Sequence, residues 1–290
     1  MKKIFLILGL LIFVNSVVLA QESGNRNYGT QQRKPLESSG VLTTVVNNKE
    51  VYFIEANVLM NMKPDSFVAV FGIVQEGANA AESNSKLDAQ IAGFIGDLSK
   101  LGVKQNETFV DFIAQNKIYD YTASGNVVTE KFSGFETKKN INVRYKDRET
   151  LEKIINAAAK ASIFDLIEVK YVVGDTSGVR AKLFNEAVKV IKQKEANYAD
   201  AFGIKMAVTN AANEKYDTFY PSDLYSVYQA FEAGTTSGDY NRTVIKQRKT
   251  KTFFYEPLDA KSFDTVINQM GIEPLVQFTL YLRMQYDLKK

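Results

Sequence analysis

Much of the proton-transfer and thiol chemistry of enzymes runs through two side chains that this 290-residue sequence does not contain, histidine and cysteine. Imidazole bases, thiolate nucleophiles and zinc sites built from nitrogen and sulfur ligands are therefore excluded. A serine nucleophile would need a lysine or carboxylate helper, and the sequence has no G-x-S-x-G elbow and no S-x-x-K followed by its partner motifs. Carboxylates remain. Asp165 and Glu168 flank the start of a strand-like run, and Asp217 and Asp223 lie in a polar aromatic stretch, but neither pair has the dense spacing of a calcium loop. Such acids are read as solvated. The residues GDTSG, Gly174 to Gly178, precede a long helical pattern and have two readings. One is an anion cradle at a helix N-terminus, the other a cap supplied by Asp175, Thr176 or Ser177. No residue is assigned to catalysis, to a cofactor or to a metal, and the chain is expected not to be an enzyme.

Surface chemistry is better represented. The stretch KYDTFYPSDLYSVYQAF, Lys215 to Phe231, carries Tyr216, Phe219, Tyr220, Tyr225, Tyr228 and Phe231. Tyrosine joins a large apolar ring to a hydroxyl at little rotamer cost, which suits protein or glycan contact. The alternative is an insertion that packs its own rings. Just beyond, TVIKQRKTKTFFY clusters Lys246, Arg248, Lys249 and Lys251. These cations either keep an edge strand from unwanted pairing or meet an anionic envelope polymer or lipid headgroup.

The elements that position these residues follow from periodicity. Tyr52, Ile54, Ala56, Val58 and Met60 alternate as one face of a strand, a Lys63, Pro64, Asp65 turn follows, and Phe67 to Val74 is apolar almost throughout. These two runs are expected to form a hairpin. Leu87, Ile91, Phe94, Ile95 and Leu98 make a helical stripe over Ser85 to Leu101, ended by Gly102. Two strand-like runs, Glu107 to Ala114 and Lys117 to Thr122, lead through a turn at 123–126 into a long alternating run. There Phe135, Thr137, Ile141, Val143 and Tyr145 share a side, with Lys139 out of step. Asp147 caps a helix with Leu151, Ile154, Ile155 and Ala158 on its core face. Leu166 to Val173 is a strand. Val179 to Phe202 is a helix with Phe184, Ala187, Val188, Ile191, Tyr198 and Phe202 at core spacing, stopped by Gly203. The fold class is α+β, with mixed, largely antiparallel sheets and helices packed on one face.

Lys2 and Lys3, an apolar run from Ile4 to Val14, and Val18 with Ala20 form a secretory signal, residues 1–20, with cleavage expected after Ala20. The run is too short for the roughly 20 residues that cross a bilayer, so no stable membrane span is expected after cleavage. Residues 21–44 are polar and glycine-dotted, a flexible leader, and 45–290 form the folded domain with an aromatic-rich insertion at about 206–256. The protein is expected to be periplasmic or secreted. With 36 basic against 33 acidic side chains, two of the lysines inside the signal, the charge balance argues against a nucleic-acid partner.

Four segments carry a resemblance: KPDSFVAVFGI (Lys63 to Ile73), FSGFETKKNINVRYKDRETLEKIINAAAKA (Phe132 to Ala161) with its Gly134-Phe135 step, ADAFGIKM (Ala199 to Met206) and FTLYLRMQYDL (Phe278 to Leu288). In these the chain resembles the SIMPL domain family of exported bacterial proteins of unknown function, over about residues 48–289. The resemblance implies an exported α+β protein linked to oxidative or envelope stress, in a family some of whose members assemble into ring-like oligomers. It implies no reaction. Two functions are carried forward: a non-catalytic cell-envelope protein that self-assembles as a homo-oligomer, and a monomeric module binding a glycan, peptide or anionic envelope polymer.

Overall fold

The computed structural model describes residues 51–228 and 251–289. The expected signal, residues 1–20, and the leader at 21–44 lie outside the described residues.

Two four-stranded sheets and a small hairpin organise the chain. In the first sheet β10 (Val276–Lys289) lies between β6 (Lys205–Phe219) and β1 (Val51–Met62), antiparallel to both, and β9 (Thr265–Ile267) runs parallel to β1. In the second, β3 (Thr108–Ser124), β4 (Val127–Tyr145), β2 (Ser66–Gly77) and β5 (Asp165–Val172) are antiparallel in that order. β7 (Tyr225–Tyr228) pairs with β8 (Thr252–Tyr255). The class is α+β, with one parallel pair among antiparallel ones.

The expected hairpin of β1 with β2 does not form, because the turn between them is a corner from one sheet to the other. Pro64 offers no amide donor. The next residue, Asp65, is fastened to the end of β5: its amide donates to the Val172 carbonyl at 2.8 Å, and its carboxylate accepts from the Gly174 amide at 2.7 Å. The chain therefore leaves the ladder of β1 and enters beside β5.

Each sheet has one helix-covered face. α1 (Ala80–Lys100) is capped by Asn79, whose side chain accepts from the Glu82 amide, and buries Leu87, Ile91, Phe94 and Leu98 against Ala69, Phe71 and Ile73 of β2 and Ile141 and Val143 of β4. Gly102 follows at φ +87, as its place after the helix requires. α2 (Arg148–Lys160) is capped by Asp147, which accepts from the Thr150 amide at 2.8 Å. It adds Ile154, Ala157 and Ala158 to the same core. α3 (Thr176–Phe202) covers the first sheet, packing Val179, Leu183, Ala187 and Ile191 on Ile54, Ala56, Val58, Phe278 and Leu280. Of the expected core residues, Ala187 and Ile191 are buried, Val188 and Tyr198 pack against the same core, and Phe184 and Phe202 do not. The i, i+4 row that starts at Val179 faces the sheet, which turns Phe184 and Phe202 outward.

Lys139, the polar misfit of the alternation, sits on the core face opposite Ile73 and is accommodated by an ion pair with Asp88 of α1 at 2.6 Å. Deeper in, Ser83 and Thr137, both fully buried, share a hydroxyl hydrogen bond of 2.8 Å that fixes the first turn of α1 over β4. Gly134 is there for contact: a Cβ would stand 2.4 Å from the Gly77 carbonyl oxygen. β9 is held by Asp264, which pairs with Lys194 of α3 and accepts from the Asn57 amide at 2.8 Å.

The two expected runs within 107–122 are one strand interrupted by bulges, Ile113 being extra on β3 and Ser133 on β4. In α2, Ile155 is 40% exposed whereas Ile154 is fully buried, so only one of the two expected core isoleucines is core. Ile154→Ala should therefore cost about 2 to 5 kcal/mol in urea unfolding by leaving a cavity, Ile155→Ala less than about 1 kcal/mol, and Lys138→Ala less than about 0.5 kcal/mol. Equal losses at 154 and 155 would contradict this packing.

Candidate interaction surface

The aromatic stretch expected to form one surface is divided among three environments. Its first part is not an appendage: residues 205–219 are β6, paired along the whole of β10. Tyr216 is half-buried there, stacked on Phe278 with ring centroids 6.2 Å apart, and the Arg180 guanidinium lies 5.7 Å from its ring. Burial pushes its phenol above the ordinary value. Arg180 also pairs with Glu214 at 2.7 Å, beside a shallow open depression of about 390 Å³ lined by Ser177, Phe184 and Asn185. Tyr216 thus belongs to the core under α3. Phe219 ends β6 opposite Gln277 and is half-buried.

The second part is an anchor. Tyr220 precedes a 3-10 turn, Pro221–Leu224, whose Pro221 and Leu224 are buried. Tyr225 is half-buried with its ring 5.9 Å from that of Tyr255. The Tyr255 hydroxyl donates to the Leu275 carbonyl at 3.1 Å, and burial raises its pKa. A buried amide pair works alongside: Gln277 donates to the Asn61 side chain and accepts from the Leu258 amide, both at 2.8 Å. The hairpin is therefore rooted on the body.

The third part is the most exposed. Tyr228 is 53% exposed, and Val227, Phe253, Phe254 and Lys251 around it are exposed too. Phe253 and Phe254 follow a cationic run in the sequence; the pairing of Phe254 with Ser226 puts it on the face of Tyr228, and the pairing of Phe253 with Val227 puts those two on the other face. Phe231, Lys246, Arg248 and Lys249 lie outside the described residues.

The carboxylates gather nothing. Asp217 pairs with Lys215 at 3.1 Å, Asp223 is exposed in the 3-10 turn and Asp165 is exposed at the start of β5. Among the described residues no group of three or more acidic side chains is placed to hold a metal ion. At α3 the Asp175 carboxylate accepts from the Gly178 amide at 2.8 Å, so the helix end is capped by the chain's own anion. No described helix is long and apolar enough to cross a membrane.

A second exposed apolar surface went unnoticed in the sequence. The outer halves of β3 and β4 project as a two-stranded arm whose side chains are exposed from Tyr119 to Phe132. Cross-strand partners share a face. One face carries Tyr119 with Phe132, Tyr121 with Glu130, and Ala123 with Val128; the other carries Asp120 with Lys131, Thr122 with Thr129 and, at the tip, Ser124 with Val127. The arm is amphipathic.

Compared with known proteins, residues 55–247, more than half of the chain, match the family profile of SIMPL, described as "Protein of unknown function (DUF541)". The chain is also similar to "Uncharacterized protein YggE" of Edwardsiella ictaluri (strain 93-146), with 19% identity over 167 residues, 58% of this chain and 69% of that protein.

The environments of the tyrosines separate by experiment. Tyr216→Ala should cost about 1 to 3 kcal/mol in denaturant unfolding, whereas Tyr228→Ser should change stability by no more than about 0.5 kcal/mol.

Proposed function

This chain belongs to the SIMPL family, and on that premise we propose that it is an exported, non-catalytic protein of the cell envelope that works by self-association, in the setting of oxidative or envelope stress. The observation that carries the reading is the rooted hairpin of β7 and β8. It exposes Tyr228 and Phe254 together on one face, and Val227 and Phe253 on the other, which also carries the Tyr225 and Tyr255 pair that roots it. Clustered apolar side chains on a rigid element favour a protein contact, since aromatic anchors contribute much of the energy of interfaces. The non-catalytic role rests on the missing histidine and cysteine.

A second reading has its own support. Tyr228 and Lys251 stand exposed at one end of the hairpin, a ring and a cation that suit a glycan or an anionic polymer. It takes first place if the chain is monomeric.

Light scattering coupled to size exclusion, on the chain from Gln21 onward, decides between them. The self-association reading expects a mass above one chain at tens of micromolar. It expects Tyr228→Ser with Phe254→Ser to lower that mass with unchanged far-UV circular dichroism. A wild-type monomer at that concentration would contradict it. The pair Tyr225→Ser and Tyr228→Ser is a poorer test, because Tyr225 also packs on Tyr255.

A further inference from the structure

We infer that the arm formed by the outer halves of β3 and β4 is a contact surface for a second copy of this chain, the two arms packing face to face and antiparallel about a two-fold axis. The inference rests on the self-association reading and assigns it a second surface.

The arm's apolar face is the continuation of the face that α1 covers. Gln115 and Thr137 lie at the first turn of α1, where Gln115 donates to the Ala80 carbonyl and the Thr137 hydroxyl, at 3.4 and 3.2 Å. One step outward stand Lys117 and Phe135, then Tyr119 and Phe132, and so on to the tip. Ring contacts run along the same line, Phe135 to Phe132 at 5.6 Å and Phe132 to Tyr119 at 6.0 Å. The helix stops and the apolar row does not. Tyr121 is 70% exposed and Val128 is 63% exposed. A two-stranded ribbon on its own is marginal in water, and this one leaves its better half wet.

The edge is closed to the same purpose. β3 is an outermost strand, but its bulge at Ile113 and its charges Asp111, Lys117 and Asp120 work against pairing of one edge with another. The contact must therefore be made through the face.

What fits that face is on the face itself. It bears one cation near its base, Lys117, and one anion nearer its tip, Glu130, the latter accepting from the Tyr121 hydroxyl at 3.1 Å. Antiparallel two-fold packing brings Lys117 within reach of Glu130 of the partner subunit, twice. That register sets Tyr119 and Phe132 at the axis, and it carries the small residues Ala123 and Val128 of each tip to the start of the other copy's α1. Self-complementarity of this kind is what a two-fold contact requires. A lipid surface is less well served, because the arm's charges, Lys117, Asp120, Glu130 and Lys131, balance. Rings of this type bury about 150 to 250 Å² each when fully covered. Half-exposed as several are, they offer roughly a few hundred Å² per copy, below the ~800 Å² of a standard interface, so the pairing should depend on concentration.

The absence of cysteine makes the test clean. Tyr119→Cys should give a covalent dimer under mild oxidation at tens of micromolar, and Thr122→Cys, on the polar face, should not. Lys117→Glu alone and Glu130→Lys alone should each weaken association by about fivefold to tenfold, and the two together should restore it to within about twofold. An oligomer that persists while Tyr119→Cys fails to cross-link overturns the arm proposal and leaves self-association standing. A monomer at every concentration overturns both. Flotation of the wild-type chain with lipid vesicles, lost on Tyr121→Ser without any change of mass, would assign the arm to a membrane and overturn the proposal as well.

Discussion

Each described α-helix is placed by the need to cover one apolar face of a sheet, and that need is met unevenly. Asp65 makes it a double task. By binding the end of β5 through its amide and carboxylate, it sends β1 and β2 into different sheets, so the chain must build two cores where a hairpin would have needed one. α3 covers the first sheet, while α1 and α2 cover the second. The cover over the second sheet ends at Thr137, where the buried Ser83 hydroxyl fixes the first turn of α1, yet the strands beneath run on.

The consequences for function follow from what is left uncovered. Interiors of this kind are filled by apolar side chains, and the polar groups among them are mostly paired: the Asn61 and Gln277 amides, the Ser83 and Thr137 hydroxyls, and Lys194 with Asp264. None of these is a reacting group in a cleft. What is left uncovered lies in the hairpin of β7 and β8 and in the arm, where aromatic rings stand exposed.

Much of the fold was legible in local patterns. The stripe of Leu87, Ile91, Phe94 and Leu98 and the cap at Asp147 are short-range signals, and both helices form, α1 starting at Ala80 ahead of the expected Ser85. Pairing partners are long-range properties, and there the reading failed: an alternating strand followed by a tight turn and an apolar strand looks the same whether it reverses or crosses to another sheet. In α3 the expected Ala187 and Ile191 are core and Val188 and Tyr198 pack beside them, while Phe184 and Phe202, at the margins of that stripe, are exposed and Val179 and Leu183 take the sheet instead. The arm was invisible for a different reason. Tyr119, Tyr121 and Ala123 alternate as in any half-buried strand, and no periodicity tells whether something lies on top. The aromatic stretch was conspicuous by composition, yet Tyr216 proved to be core, and Phe253 and Phe254 joined the exposed surface only through their pairing.

The central claim is that an apolar face left bare in one copy is covered by another. Hydrogen exchange of the arm amides, from Tyr119 to Phe132, measured from about one to about one hundred micromolar, addresses it without any substitution. A bare ribbon opens easily and a packed one does not. Slowing of exchange in the arm as concentration rises, with the strands under α1 protected throughout, is the predicted result. Arm exchange that is equally fast at both ends of that range would contradict the account.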